Sequence, residues 1–130
     1  MTWYLDSSAF LKLVRAEDET AALVRWVGDR EVCSCDLLRT EVRRALADEG
    51  GAVRLLLKGM LLRTPLIRLT PDVFDAAGDL QTGGPVRSLD AIHLAAARRL
   101  GPDLEGIATY DKRMAAAAVD LGHTVAAPAP

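Results

Sequence analysis

Aromatic residues are scarce in this chain: two Trp, two Tyr and two Phe among 130 residues. Trp3, Tyr4, Trp26 and Tyr110 are too few and too scattered to make a stacking platform for single-stranded nucleic acid. Cysteine is equally thin. Cys33 and Cys35 lie two apart in a strand-like run, so they point to one face and are badly placed to bond each other. Two sulfurs alone make no zinc site. The expectation is buried, reduced thiols in a cytoplasmic protein. No apolar run reaches the ~18–20 residues that span a bilayer, so no membrane partner is expected. A strand-like run without a basic region follows Met1, and the first acid comes at Asp6, so no signal peptide is expected either. The only lysines are Lys12, Lys58 and Lys112; the other basic residues are arginine. A formal net charge of −2 argues against a general polyanion binder, although it hides a clustering of sign.

Apolar residues make up 50% of the chain, enough for a real core. A chain of this length buries roughly two-thirds of the surface that its unfolded form exposes. One domain over residues 1–130 is expected, with residues 127–130 fraying. The pattern alternates. Thr2–Leu5 reads as a strand ending at Asp6, and Ser7–Arg15 and Glu19–Gly28 read as helices. Glu31–Ser34 reads as a strand. The helix predicted over Asp36–Glu49 carries Leu37, Leu38, Val42, Ala45 and Leu46 at helical spacing. Gly50-Gly51 breaks it before a helix over Ala52–Leu62 and a strand over Pro65–Leu69. Thr70-Pro71 looks like an N-cap followed by proline at the first helical position, opening a helix to about Leu80. After the Thr82–Pro85 loop come a helix over Ser88–Leu100, a strand over Glu105–Thr109, a helix over Asp111–Leu121 and a strand over His123–Ala126. Such alternation implies an α/β fold with a parallel sheet covered on both faces. Ligands of such sheets bind beyond the carboxyl ends of the strands.

Four acids fall where these helices begin: Asp6, Glu41, Asp90 and Asp111. Asp6 and Asp111 also follow short apolar strands. Each of that pair also reads as a simple N-cap. Glu41 lies on or beside the buried stripe of its helix, where a lone carboxylate must protonate or find a cation. An arginine such as Arg44 is one candidate partner. Asp90 stands over His93, Leu94 and Ala97 on a mostly apolar face, with Ser88 as the better N-cap. Together the four point to Mg²⁺ or Mn²⁺, since hard oxygen ligands suit those ions, and to phosphodiester chemistry. Ser8 and Thr109 are candidate supports, with helix capping the plainer role for the serine. Arg39, Arg43, Arg44 and Arg87 are candidate phosphate contacts or a solvated helix face. His93, on the buried side of its helix near Leu89, Ile92 and Ala96, reads as a hydrogen-bonded core histidine, and His123 as structural.

The motifs resemble those of the PIN domain, and in particular of VapC toxins from VapBC toxin–antitoxin systems. Tyr4-Leu5-Asp6-Ser7-Ser8-Ala9 resembles the first acidic motif. Leu38-Arg39-Thr40-Glu41, followed by Arg44-Ala45-Leu46, resembles the second. Val86 to Ala95, with Asp90 inside it, resembles the third, and Thr109-Tyr110-Asp111-Lys112-Arg113-Met114 the fourth. The resemblance covers essentially the whole chain. It implies a three-layer α/β/α sandwich with a five-stranded parallel sheet. It also implies a Mg²⁺- or Mn²⁺-dependent endoribonuclease toxin cutting tRNA, rRNA or mRNA, with Asp6, Glu41, Asp90 and Asp111 as catalytic and metal-binding residues. A homodimer neutralised by a VapB-type antitoxin, and joined to promoter DNA only through it, is implied as well.

Three rivals have to be weighed. A phosphotransfer domain of the dehalogenase or receiver kind wants a second aspartate two residues after Asp6, where Ser8 stands, and a lysine in a set place. A PIN-like module that binds without cutting gains nothing from clustered negative charge. A structure-specific DNA nuclease would use the same acids.

Overall fold

The first strand is buried almost throughout: Tyr4 and Leu5 are inaccessible and Trp3 is nearly so. A strand so enclosed belongs in the middle of a sheet. In the computed structural model, which describes residues 1–130, β1 (Thr2–Leu5) is the central of five parallel strands. The others are β2 (Glu31–Cys35), β3 (Leu66–Ile67), β4 (Leu104–Ala108) and β5 (Val125–Ala126), in the order β3-β2-β1-β4-β5. The chain builds outward from β1 on one side, then returns to build on the other. The reversal lies between β1 and β4, and the carboxyl ends of those two strands border the crevice where such sheets bind ligands.

Alternating side chains divide the core. Tyr4, Cys33, Cys35 and Ile107 face α5 (Pro71–Asp79), α6 (Ser88–Arg98) and α7 (Lys112–Asp120). Ala91, Ala95, Ala96 and Ala97 let α6 lie close against the sheet, with Leu94 filling the remaining space. On the other face, Leu5 and Ala108 meet Ala9 of α1 (Ser7–Val14). Phe10 and Val14 of α1 pack with Leu38 and Val42 of α3 (Leu38–Ala45) and with Leu57 and Leu61 of α4 (Gly51–Arg63). Burying a leucine such as these fully is worth about 2 kcal/mol. The short helix α2 (Thr20–Val27) brings Trp26 edge-on to Trp3, with ring centroids 4.8 Å apart. Gly106 makes room for that pair: a Cβ there would lie 2.4 Å from the Trp3 ring and 2.8 Å from the Thr124 carbonyl. The result is the three-layer α/β/α sandwich expected from the motifs. Both cysteines are free and buried on one face. No helix is long and apolar enough to cross a membrane.

The elements differ from expectation mainly at their ends. The helix predicted from Asp36 begins at Leu38, because the Asp36 N–H donates to the Ile67 carbonyl and still belongs to the sheet ladder. It ends at Ala45 in tight turns, where Ala47 N–H bonds Arg44 and Glu49 N–H bonds Leu46. Ala45, expected on the buried stripe, is exposed. The third strand shrinks to Leu66–Ile67, though the Pro65 carbonyl still accepts from Ser34 N–H. His123, expected to open a strand, lies in the turn before β5 and donates its N–H to Ala118. Arg87, not Ser88, is the N-cap of α6. Residues 127–130 include one anchored position, since the Tyr110 hydroxyl donates to the Pro128 carbonyl over 2.6 Å.

Candidate functional site

Asp6 leaves β1 in extended conformation and caps α1, its Oδ1 accepting from Ala9 N–H at 3.0 Å. Capping is only part of its bonding. Ser8 Oγ donates to the same oxygen at 2.6 Å, and Thr109 Oγ donates to the other. Thr109 itself is almost fully buried, and Asp111 N–H donates to its oxygen at 3.1 Å. Ser8 in turn accepts from Tyr110 N–H at 2.9 Å. The segment after β4 is thereby stitched to the segment after β1. Burial still wins at Asp6: its carboxyl is raised above the ordinary range despite the donors Ser8, Thr109 and Ala9.

Asp111 caps α7, its Oδ1 accepting from the N–H groups of Arg113 and Met114 at 2.9 and 3.0 Å. That leaves Oδ2 free. Asp90 lies in the first turn of α6, half-buried, and its carboxylate accepts no hydrogen bond from the protein. Its carboxyl is raised by burial first, then by the negative charges of Asp111 and Asp6, against weaker help from His93 and Arg87. These three acids therefore share one electrostatic neighbourhood at the carboxyl edge of β1 and β4, and none of them has an ion-pair partner.

Glu41 is different. It sits in the first turn of α3 and contacts no arginine. Its Oε1 meets His93 Nε2 at 2.6 Å and also accepts from Ser7 Oγ. Burial pushes this carboxyl up, but the His93 and Ser7 hydrogen bonds and the His93 charge outweigh it, and the net shift is downward. His93 is shifted the opposite way. Burial opposes its charge, yet the contacts with Cys35 and Glu41 prevail and push the imidazole up to about 10.

The structure thus draws Asp6, Asp90 and Asp111 into one charge cluster, with Ser8 and Thr109 as direct supports of Asp6. Glu41 joins through Ser7 and His93. Sequence reasoning allowed either serine after Asp6 to bond an acid but favoured Ser8 over Ser7, and it left His93 in the core. His93 is in the core, and its other nitrogen reaches the site. The helical spacing of Asp90 and His93 carried that signal. The alternative of an arginine partner for Glu41 is not realised: Arg43 and Arg44 are exposed, and His93 meets the carboxylate instead. Leu89, expected beside His93 on the buried side, is exposed.

Arg39, Arg43, Arg44 and Arg87 are all exposed. Arg39 bonds Asp36 at 3.1 Å. Arg43 lines a groove of about 340 Å³ between α3 and α4 with Arg54, Lys58, Leu46, Ala47 and Leu57. The four acids line none of the main surface cavities.

As they stand, no three Asp, Glu, His or Cys side chains are close enough to enclose a metal ion. The chemistry of the donor set nonetheless fits a hard divalent cation. The acids supply only oxygen, several of those oxygens are free, and the mutual repulsion at Asp90 is what a cation would relieve.

A model of the PIN domain matches residues 3–120. Ribonuclease VapC46 of Mycobacterium tuberculosis is 47% identical, over 96% of this chain and 96% of its own length. Ribonuclease VapC47 of the same species is 36% identical, again over 96% of each. Among solved structures, M. tuberculosis VapC20, described as a sarcin–ricin loop cleaving toxin, superimposes with a TM-score of 0.77. It does so at 16% identity, over 97% of this chain and 99% of VapC20. At that identity the likeness speaks for the fold alone.

Proposed function

This chain belongs to the PIN-domain family, and from that premise we propose that it is a metal-dependent endoribonuclease toxin of the VapC kind. The observation that carries this reading is Asp90, which faces the charges of Asp111 and Asp6 at the sheet's carboxyl edge while none of the three has an ion-pair partner. A binding surface gains nothing from such repulsion, and a cation-dependent nuclease needs it. The ribonuclease names of the relatives support the same class.

Asp6 and Asp90 are the principal candidates to hold Mg²⁺ or Mn²⁺, with Glu41 and Asp111 completing the set. When bound, the ion supplies Lewis acidity at a phosphate oxygen and eases deprotonation of the attacking water. The protein's own groups fix the acids. Thr109, Ser8 and the Ala9 N–H hold both oxygens of Asp6. The first N–H groups of α7 hold Asp111. Exposed Arg39, Arg43, Arg44 and Arg87 offer the charge to retain an RNA backbone. The whole of residues 1–130 acts as one domain. The reading extends to tRNA, rRNA or mRNA as substrate, a cytoplasmic setting, a homodimer, and neutralisation by a VapB-type antitoxin through which any promoter contact is made.

The test is cleavage of total cellular RNA by antitoxin-free protein in Mg²⁺, in Mn²⁺ and in EDTA, beside Asp90→Asn. The expected outcome is discrete fragments that require metal and fall at least about 100-fold in the variant, the scale of losing a principal electrostatic group. Equal cleavage by Asp90→Asn, or cleavage that persists in EDTA, overturns the reading. Intact RNA with metal-dependent nicking of structured DNA replaces it with a DNA nuclease.

A further inference from the structure

The sequence of contacts behind Glu41 runs deeper than a single hydrogen bond. His93 is 2% exposed, and both of its ring nitrogens are engaged. Nδ1 lies 2.7 Å from the hydroxyl of Tyr4, which is fully buried in the central strand. Cys35 Sγ stands 3.8 Å from the same nitrogen. Nε2 lies 2.6 Å from Glu41 Oε1 and 3.0 Å from Ser7 Oγ. Ser7 also donates to that Glu41 oxygen. The sequence therefore places a line of polar groups, Tyr4–His93–Glu41, with Ser7 closing its outer end. It starts on β1, passes through α6 and ends on α3. Those two helices belong to opposite layers, so the line joins the layers past the end of the sheet.

The bonding fixes which atoms carry hydrogen. Nε2 faces a carboxylate and must donate to it, in the neutral and the cationic imidazole alike. The ring cannot rotate to release Glu41 without leaving the buried Tyr4 hydroxyl unpaired, which is costly in a low-dielectric interior. One oxygen of Glu41 is thus taken by two donors, the buried His93 and the half-buried Ser7. The other oxygen accepts no hydrogen bond from the protein and is free for a cation.

We propose that His93 is a positioning residue, which with Ser7 sets the orientation of Glu41 toward a divalent cation. The inference rests on the metal-dependent reading of the acids given above. It assigns His93 no contact with substrate. Partners that orient metal-binding carboxylates from behind are worth about 10–100-fold in metal affinity.

Two substitutions separate the ends of the ring. Asparagine places its amide where Nδ1 stands, so His93→Asn keeps a partner for Tyr4 and abandons Glu41. Glutamine carries its amide out to the place of Nε2, so His93→Gln keeps the donor for Glu41 and abandons Tyr4. Mn²⁺ binding is measured by calorimetry without RNA, melting temperature in EDTA, and the Mg²⁺ concentration for half-maximal cleavage of RNA. His93→Asn is expected to weaken Mn²⁺ binding and raise the Mg²⁺ requirement about tenfold, with the rate recovering at saturating metal. His93→Gln is expected to restore most of the affinity while melting lower than His93→Asn. A purely structural histidine would make affinity follow melting temperature in both variants, and that result overturns the proposal. So does a folded His93→Asn protein that binds Mn²⁺ like the wild type. If neither variant folds, Ser7→Ala, at the partly exposed end of the line, decides in their place: it is expected to weaken Mn²⁺ binding in the same direction, and unchanged binding overturns the proposal. A wild-type protein that neither binds Mn²⁺ nor cuts RNA overturns the proposed function itself, and the positioning role falls with it.

Discussion

Glu41 and Asp90 hold nearly the same station in the fold. Each stands in the first turn of a helix that starts near the carboxyl edge of the sheet, where the helix dipole favours an anion. Each is half-buried. Their acidities nonetheless move apart, Glu41 down and Asp90 up. The dipole and the burial are common to both, so neither explains the divergence. The neighbours do. Glu41 looks at an imidazole and a hydroxyl, both of which donate. Asp90 looks at Asp111 and Asp6 and receives nothing. Two kinds of carboxylate are therefore built side by side. One has an oxygen held in place by the protein, and the other has neither oxygen held.

Removing the charges should give opposite signs in metal-free protein. Glu41→Gln loses its ion pair and its charge-assisted bonds, worth about 1.5–3 kcal/mol, and should melt lower by about 5–10 °C. Asp90→Asn relieves repulsion and should melt higher, by about 2–4 °C. Thermal melts in EDTA check both. A lower melting temperature for Asp90→Asn would erase the contrast between the two acids.

The pH dependence sharpens the same contrast. Asp90 binds its proton more readily folded than unfolded, so its cost is full at neutral pH and fades as the pH falls toward its ordinary value of 3.8. Glu41 behaves in reverse: its contribution is present above 4.5 and is lost as the pH falls through its lowered value. His93 contributes fully below 6.5 and loses that contribution as the pH rises through about 10. In EDTA, the melting advantage of Asp90→Asn over wild type should shrink between pH 7 and pH 4. A constant advantage would count against the repulsion.

The smallest effect expected is at the rim. Tyr110→Phe removes the bond to the Pro128 carbonyl and should cost about 0.5–1.5 kcal/mol. It leaves the Tyr110 N–H on Ser8 untouched, so Mn²⁺ binding should not change. Calorimetry on that variant separates tail anchoring from the site.

The acids were legible because a charged residue at the end of an apolar strand has few places to go. Asp6 and Asp111 cap helices just beyond the carboxyl ends of β1 and β4, a placement that follows from position along the chain. The parallel order of the strands was legible from their alternation with helices. The start of α3 was not, because Asp36 remains in the ladder only through the Ile67 carbonyl, a contact from another strand. The Ser7–Glu41–His93 junction was hidden for a similar reason. It depends on α6 packing beneath Tyr4 on one face while α3 comes over from the other. Helical periodicity marked His93 as buried but could not say what its far nitrogen would meet.

Thr109 reaches Asp6 across 103 positions of sequence. A chain being translated offers β1 and β2 long before β4 exists. Until Leu104–Ala108 has joined β1, Asp6 lacks its Thr109 donor, and neither Asp111 nor a settled α6 stands beside it. The complete constellation comes into being only when the last third of the domain closes over the first strand.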